Sequence, residues 1–236
     1  MNKNLLLLLL MFAFGINCGQ AQSYKIFKGD TINRTDAKGL KQGPWRRYYE
    51  NDQLFSETIF KNGKPVSNTN TFYKNGAKQA VIVNSADGKT GRMTSYWENG
   101  KVKAKGKYVN QQKDSTWNYF GENDTITAVE NYKAGKPHGI WKTFYPSGSL
   151  LEEYSFVNGI KTGPIKKYFT NGTIKYSGFY KNDTFDSTAV FFHLSGKPMV
   201  KGQYVNGLKE GEWIYMNESG VRDSSETYSG GQLIPR

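Results

Sequence analysis

The chain has 236 residues, 37% hydrophobic and 15% aromatic, with a formal charge of +12 from 32 basic and 20 acidic residues. The apolar share is too small for a thick two-sided core and the aromatic share too high for disorder, so a thin sheet that buries large rings over a limited area is expected. A single cysteine excludes a disulfide framework within the chain and a Cys-based zinc cluster.

In chain order, residues 1–21 read as a secretory signal. Lys3 supplies a positive start, Leu5 to Phe14 is an apolar run too short to span a bilayer, and Gly19-Gln20-Ala21 offers the small residues a signal peptidase reads. Cleavage before Gln22 removes Cys18, and no transmembrane helix is expected after removal. Cys18 has a competing reading as a lipid-modified first residue, although Gly15-Ile16-Asn17 fits a lipobox poorly. The expected location is exported: periplasmic, associated with the outer membrane, or secreted. Residues 22–38 form a polar lead-in. Asp30, Asn33 and Asp36 lack the spacing of an EF-hand calcium loop, and a cap on the first hairpin is the simpler reading.

Residues 39–230 are eight gapless units of 24 residues, starting at Gly39, Gly63, Asp87, Gln111, Gly135, Gly159, Asp183 and Gly207. The tenth place of the units holds Tyr48, Phe72, Tyr96, Phe120, Phe144, Tyr168, Phe192 and Met216. The twenty-second holds Phe60, Asn84, Tyr108, Tyr132, Phe156, Tyr180, Tyr204 and Tyr228. A constant period without insertions means that each unit packs on its two neighbours. Asn-Gly pairs stand at places 13 and 14 (Asn75-Gly76, Asn99-Gly100, Asn171-Gly172) and between units (Asn62-Gly63, Asn158-Gly159, Asn206-Gly207). Read as two-residue type I′ turns, they make each unit a hairpin and the array a continuous meander. The fold class is therefore all-β: an elongated antiparallel meander of about eight hairpin repeats, forming a twisted single-layer sheet or solenoid. Residues 231–236 read as a tail.

With places 13 and 14 as the loop, place 11 faces 16, place 7 faces 20 and place 5 faces 22. Place 7 holds Trp45, Trp117, Trp141 and Trp213; place 5 holds Gly139, Gly163 and Gly211 among others. Large rings are thus expected to lie across from strand glycines. This better-buried face is also expected to hold the aliphatic row of place 16, which is Leu54, Val102, Ile126, Leu150 and Ile174. The other face carries the place-10 rings with lysines nearby, a half-exposed aromatic and basic ribbon about 75 Å long for sixteen strands.

The recurring Gly-Lys-x-x-Gly-x-Trp-x-x-Tyr/Phe-Tyr/Phe-x-Asn-Gly-x-Leu, with a later aromatic and a second Asn-Gly, resembles the MORN-repeat variant of bacterial proteins labelled YwqK-type antitoxins. The resemblance implies a β-hairpin array that binds or scaffolds; units two, three and seven depart most, through Thr69, Asn84, Met93 and Ala189, and looser packing is expected there.

Enzyme chemistry finds little support. His138 and His193 sit at unlike places of units two apart, and no carboxylate pair or nucleophile motif recurs. No cofactor or metal is expected. The leading expectation is a non-enzymatic binding or scaffolding module of the cell envelope, with Tyr96, Phe120, Phe144, Tyr168, Lys103 and Lys175 as contact residues. Its partner would be a protein or an anionic surface such as lipid headgroups or acidic glycan. Export argues against nucleic acid. The alternative is an antitoxin or immunity-like protein that neutralises one effector.

Overall fold

The computed structural model describes residues 22–235, so the expected signal segment and Cys18 lie outside the described residues. Within them the chain is a single antiparallel meander from Arg34 to Ile234, each strand paired with the next in sequence, and no pairing joins the last strand to the first. A separate two-stranded hairpin, Lys25–Phe27 with Asp30–Ile32, precedes it. The paired strands overrun the eight units at both ends: Arg34–Thr35 pairs with the first strand of unit one, and Gln232–Ile234, expected as tail, pairs with Arg222–Ser229.

The turns between units are those the sequence suggested. Both central residues have positive φ at Asn62-Gly63, Asn110-Gln111, Ala134-Gly135, Asn158-Gly159, Asn182-Asp183, Asn206-Gly207 and Gly230-Gly231. This is the left-handed pair that a type I′ hairpin demands. The exception lies between units two and three, where the Ser85 N–H donates to the Thr90 carbonyl and the Gly88 N–H to the Ser85 carbonyl around a loop two residues longer.

The turn inside each unit is different from the expected one. Only place 14 has positive φ, in Asp52, Gly76, Gly100, Asp124, Gly148, Gly172, Gly196 and Gly220. The place-14 N–H donates to the place-11 carbonyl and the place-11 N–H to the place-15 carbonyl, as with Gly148 to Tyr145 and Tyr145 to Ser149, both at 2.8 Å. This is a type I turn followed by a left-handed residue, the three-residue hairpin loop. The asparagine at place 13 therefore does not supply left-handed backbone. Its Oδ1 accepts the N–H two residues on, at 2.9 Å from Ala77 to Asn75 and 3.0 Å from Lys101 to Asn99.

The extra loop residue shifts the register beside the turn. Place 10 now pairs with place 16, in Tyr48–Leu54, Tyr96–Val102, Phe120–Ile126, Phe144–Leu150 and Tyr168–Ile174. Directly opposed residues share a face, so the aliphatic row belongs with the place-10 rings and not with the tryptophans. A bulge at place 17 then restores the expected pairs, for example Trp141–Tyr154 and Gly139–Phe156. The core confirms the tryptophan face as the better buried: Ile165, Tyr176, Ala189 and Trp213 form its cluster, ringed by Tyr154, Tyr180, Phe185 and Tyr204.

At six of the seven junctions between units the register slips by two residues, as between Lys105–Asn118 and Lys107–Asp114. At five of these junctions place 5 has positive φ, in Ser115, Gly139, Gly163, Ser187 and Gly211, and Gly43 of unit one shares it. A Cβ on Gly43 or Gly211 would meet nothing, so these glycines relieve backbone strain and do not make room for the ring opposite. The junction of units two and three lacks the slip, pairing evenly from Asn84–Gly91 to Ala80–Ser95. There the longer loop replaces the bulge, and the 24-residue period survives.

Candidate binding faces

The tryptophan face is built across junctions. The indole of Trp117 covers Gly106, and that of Trp213 covers Gly202, each glycine belonging to the preceding unit. Within their own units these two glycines oppose Met93 and Ala189, so at place 20 ring meets glycine between units, while the place-5 glycines do lie across from place-22 rings inside units, as in Gly139–Phe156, Gly163–Tyr180 and Gly211–Tyr228. Trp141 Nε1 donates to the Asn131 carbonyl at 2.8 Å and Trp117 Nε1 to that of Lys107 at 3.1 Å, each reaching across its own junction to the unit before. Trp213 Nε1 is buried without a partner.

A polar cluster that the sequence reading missed recurs on this face, four units apart. Lys113, Trp117, Tyr119, Glu130 and Tyr132 hold the same places as Lys209, Trp213, Tyr215, Glu226 and Tyr228. Lys113 Nζ lies 4.8 Å from the centres of both the Trp117 and Tyr132 rings; Lys209 Nζ lies 4.5 Å and 4.4 Å from those of Trp213 and Tyr228. The Tyr132 hydroxyl donates to Glu130 and the Tyr228 hydroxyl to Glu226, each at 2.7 Å. Burial, then Glu130, pushes the Tyr119 and Tyr132 phenols up; the Glu226 hydrogen bond, then burial, does the same for Tyr215. Phenols held so firmly neutral are hydrogen-bond donors and not bases. The joint signal was Lys at place 3, Tyr at places 9 and 22, and Glu at place 20, legible only once the register was known.

Where the repeat weakens, this face opens. A cavity of about 360 Å³ lies among Trp45, Phe60, Thr58, Thr69 and Thr71, and another of about 340 Å³ beside Ile82, Asn84 and Tyr108. Loosening is thus found at units two and three. Ala189 of unit seven is 0% exposed, because Trp213 of the next unit reaches into its neighbourhood.

The expected contact residues are placed as follows. Tyr96, Phe120, Phe144 and Tyr168 are half-buried beside their aliphatic partners, and the Tyr168 hydroxyl donates to Glu153 at 2.8 Å. The backbones of Tyr96, Phe120 and Tyr168 are also engaged by the place-11 side chain of the unit before, whereas Gly121 stands at that place before Phe144. Tyr73 donates to the Tyr96 carbonyl at 2.7 Å, Trp97 to that of Phe120 at 3.1 Å, and Tyr145 to that of Tyr168 at 2.8 Å. Tyr49 does the same to Phe72, and His193 Nε2 donates to the Met216 carbonyl at 3.1 Å, as a substitute for the usual Tyr or Trp. Lys103 and Lys175 lie 4.3 Å and 5.7 Å from the centres of Trp97 and Phe169, the place-11 rings of their own units. The first ring of the ribbon is covered, since Phe27 of the lead-in stacks on Tyr48 at 3.9 Å. Asp30 pairs with Arg46, Asn33 brackets the Arg46 backbone, and Asp36 accepts from Leu40 and Gln42, so this trio caps the first hairpin.

The most exposed positions of the place-10 face are instead place 6 and, in units one, two, six, seven and eight, place 21. Exposed apolar side chains stand there at Ile59, Val83, Ile140 and Phe179. Shallow cavities recur on this outer face at the junctions of units one and two, three and four, and five and six, lined from equivalent places.

Compared with known proteins, four segments match the model of the MORN repeat variant: residues 41–62, 89–110, 137–158 and 161–182. Each begins at the third place of a unit, so the matches fall in step with the 24-residue period. No curated protein matches. Among solved structures, TarM is 15% identical with a TM-score of 0.31, over 45% of this chain and 20% of that one. A variant of S. aureus TarM in complex with fondaparinux, alpha-GlcNAc-glycerol and UDP is 14% identical with a TM-score of 0.32, over 45% of this chain and 21% of that one. The TcdB2-TccC3-Cdc42 structure is 12% identical with a TM-score of 0.17, over 84% of this chain and 14% of that one. The chain thus spans about a fifth of TarM's length. The chain is thus a β-hairpin array, four of whose units match the model of the MORN repeat variant.

Proposed function

We propose that this chain is a non-enzymatic binding or scaffolding module of the cell envelope that holds an acidic partner on the outer face of its sheet. One observation carries the reading: the array presents equivalent shallow cavities at alternate junctions on its solvent-facing side, while its large rings are committed to packing. A repeated surface of this kind suits an extended contact better than a single enclosed pocket does. The charge of +12 favours a partner of opposite sign. The expected contacts move accordingly from the place-10 rings to their neighbours at places 6 and 21. The leader of residues 1–21 supports an envelope location.

The test is affinity capture from envelope fractions with the full chain, signal segment included. A partner should be retained by the unaltered protein, released as salt rises, and lost with Ile140→Glu combined with Phe179→Glu, both on the exposed face. Capture that ignores these substitutions would move the contact elsewhere, and no saturable capture at all would remove the proposal.

A further inference from the structure

The three outer-face cavities are an internal comparison. At the junction of units one and two, Arg46 has Glu57 opposite, at 3.9 Å; at that of units five and six, Glu153 lines the cavity with Lys166 and pairs with Lys142 at 3.7 Å. Both glutamates stand at place 19. In unit three the same place is Lys105, and the cavity there, about 350 Å³, is lined by Arg92, Lys105 and Lys107 with Thr94, Thr116 and Asn118. It contains no carboxylate, and none of its three cations makes an ion pair among the described residues.

The placement is unfavourable for an empty surface. Arg92 and Lys107 are directly opposed across the antiparallel pair, and Lys105 follows on the same face, opposite Thr94. Like charges in opposed positions are destabilising. Thr94, Thr116 and Asn118 complete the wall; the Thr116 hydroxyl donates to Asn131 Oδ1 at 2.7 Å, which leaves the Thr94 hydroxyl and the Asn118 amide as neutral donors. The two-residue slip between Lys105–Asn118 and Lys107–Asp114 opens the dent between the cations.

We propose that this cavity binds a phosphate group. Three positive charges and neutral donors around a concave point match a tetrahedral dianion, with Arg92 able to offer a fork of two N–H groups. The only large apolar side chain in the lining is Met93, so nothing there would enter an acyl layer, and the phosphate is that of a soluble ester. The assignment rests on the binding reading above and names one ligand chemistry within it.

The measurement is ³¹P NMR titration of the purified full chain with inorganic phosphate and with glucose 6-phosphate, alongside flotation on vesicles with and without phosphatidic acid. Saturable binding of one phosphate per chain is expected. Lys105→Glu, which places here the glutamate that the other two junctions carry at place 19, is expected to weaken binding about tenfold or more. Lys105→Gln should lose a smaller factor and carries the comparison if the glutamate variant does not fold; Lys142→Gln should change nothing. Absence of saturation, or equal binding by the Lys105 variants, overturns the site. Binding confined to phosphatidic acid vesicles overturns the soluble ester. Because no partner is needed, a failure here with capture intact rejects this site alone, and the converse rejects only the partner.

Discussion

Trp117 lies flat over Gly106, the glycine at place 20 of the unit before it, and is only 2% exposed. A Cβ on Gly106 would fall inside the indole, whose neighbours on the buried face leave it no room to retreat. Gly106→Ala is therefore expected to cost about 1–3 kcal/mol or more through overpacking, read as a drop in thermal midpoint. Gly202→Ala, beneath Trp213, should behave alike. Equal stability of both variants and the parent would show that the rings do not rest on these glycines.

Gly43 and Gly211 give a contrast, because a Cβ there meets nothing but φ is +68°. Alanine should cost about 1–2 kcal/mol from the left-handed backbone alone, and asparagine less. If alanine and asparagine are equally damaging, crowding rather than φ governs those positions.

The place-11 side chains tie one unit to the next. Tyr145→Phe removes the hydroxyl that donates to the Tyr168 carbonyl, and a loss of about 0.5–1.5 kcal/mol is expected with little change in packing. Tyr73→Phe, three junctions away, should add to it nearly independently. A double variant no less stable than either single one would contradict a latch at each junction.

Phe120→Ser and Phe144→Ser should destabilise the sheet, since these rings are paired with Ile126 and Leu150. The loss expected for half-buried rings is about 2–4 kcal/mol each, measured by denaturant unfolding. Unchanged stability with lost partner capture would return these residues to the contact surface.

The tyrosines set a pH limit. Burial, with Glu153, pushes Tyr168 up to about 12, and Tyr119, Tyr132, Tyr176 and Tyr215 are pushed higher. Folded pKa values above the unfolded one near 10 mean a contribution complete below pH 10 and lost as pH rises through the folded values. The thermal midpoint should hold from pH 7 to 9 and fall from pH 10 toward 12, with a shallower fall in Tyr168→Phe. Glu226 has the opposite sign: hydrogen bonds from Tyr215 and Tyr228 lower its pKa, so its contribution is present above the ordinary carboxylate range and is lost as pH falls through the lowered value. A flat profile to pH 12 would rule out the phenol effect.

The 24-residue period, the meander, the between-unit turns and the tryptophan face could all be read from the sequence. Each follows from local rules: Asn-Gly at a two-residue turn, alternation along a strand, and a fixed spacing that lets neighbours stack. Asn75-Gly76 shows the limit of such rules. The same dipeptide serves a type I′ turn at Asn62-Gly63 and a three-residue loop here, and the difference of one residue decided which face received Leu150 and the other place-16 aliphatics. The pairing of Trp117 with Gly106, the latch from Tyr145 to Tyr168, and the meeting of Arg92, Lys105 and Lys107 all cross a strand boundary or a bulge. Sequence by itself determined the repeating hairpin and its period, because those depend on residues a few places apart. Only the tertiary structure decided which rings are core and where the cations gather, because a register slip between strands moves side chains past one another without changing any local pattern.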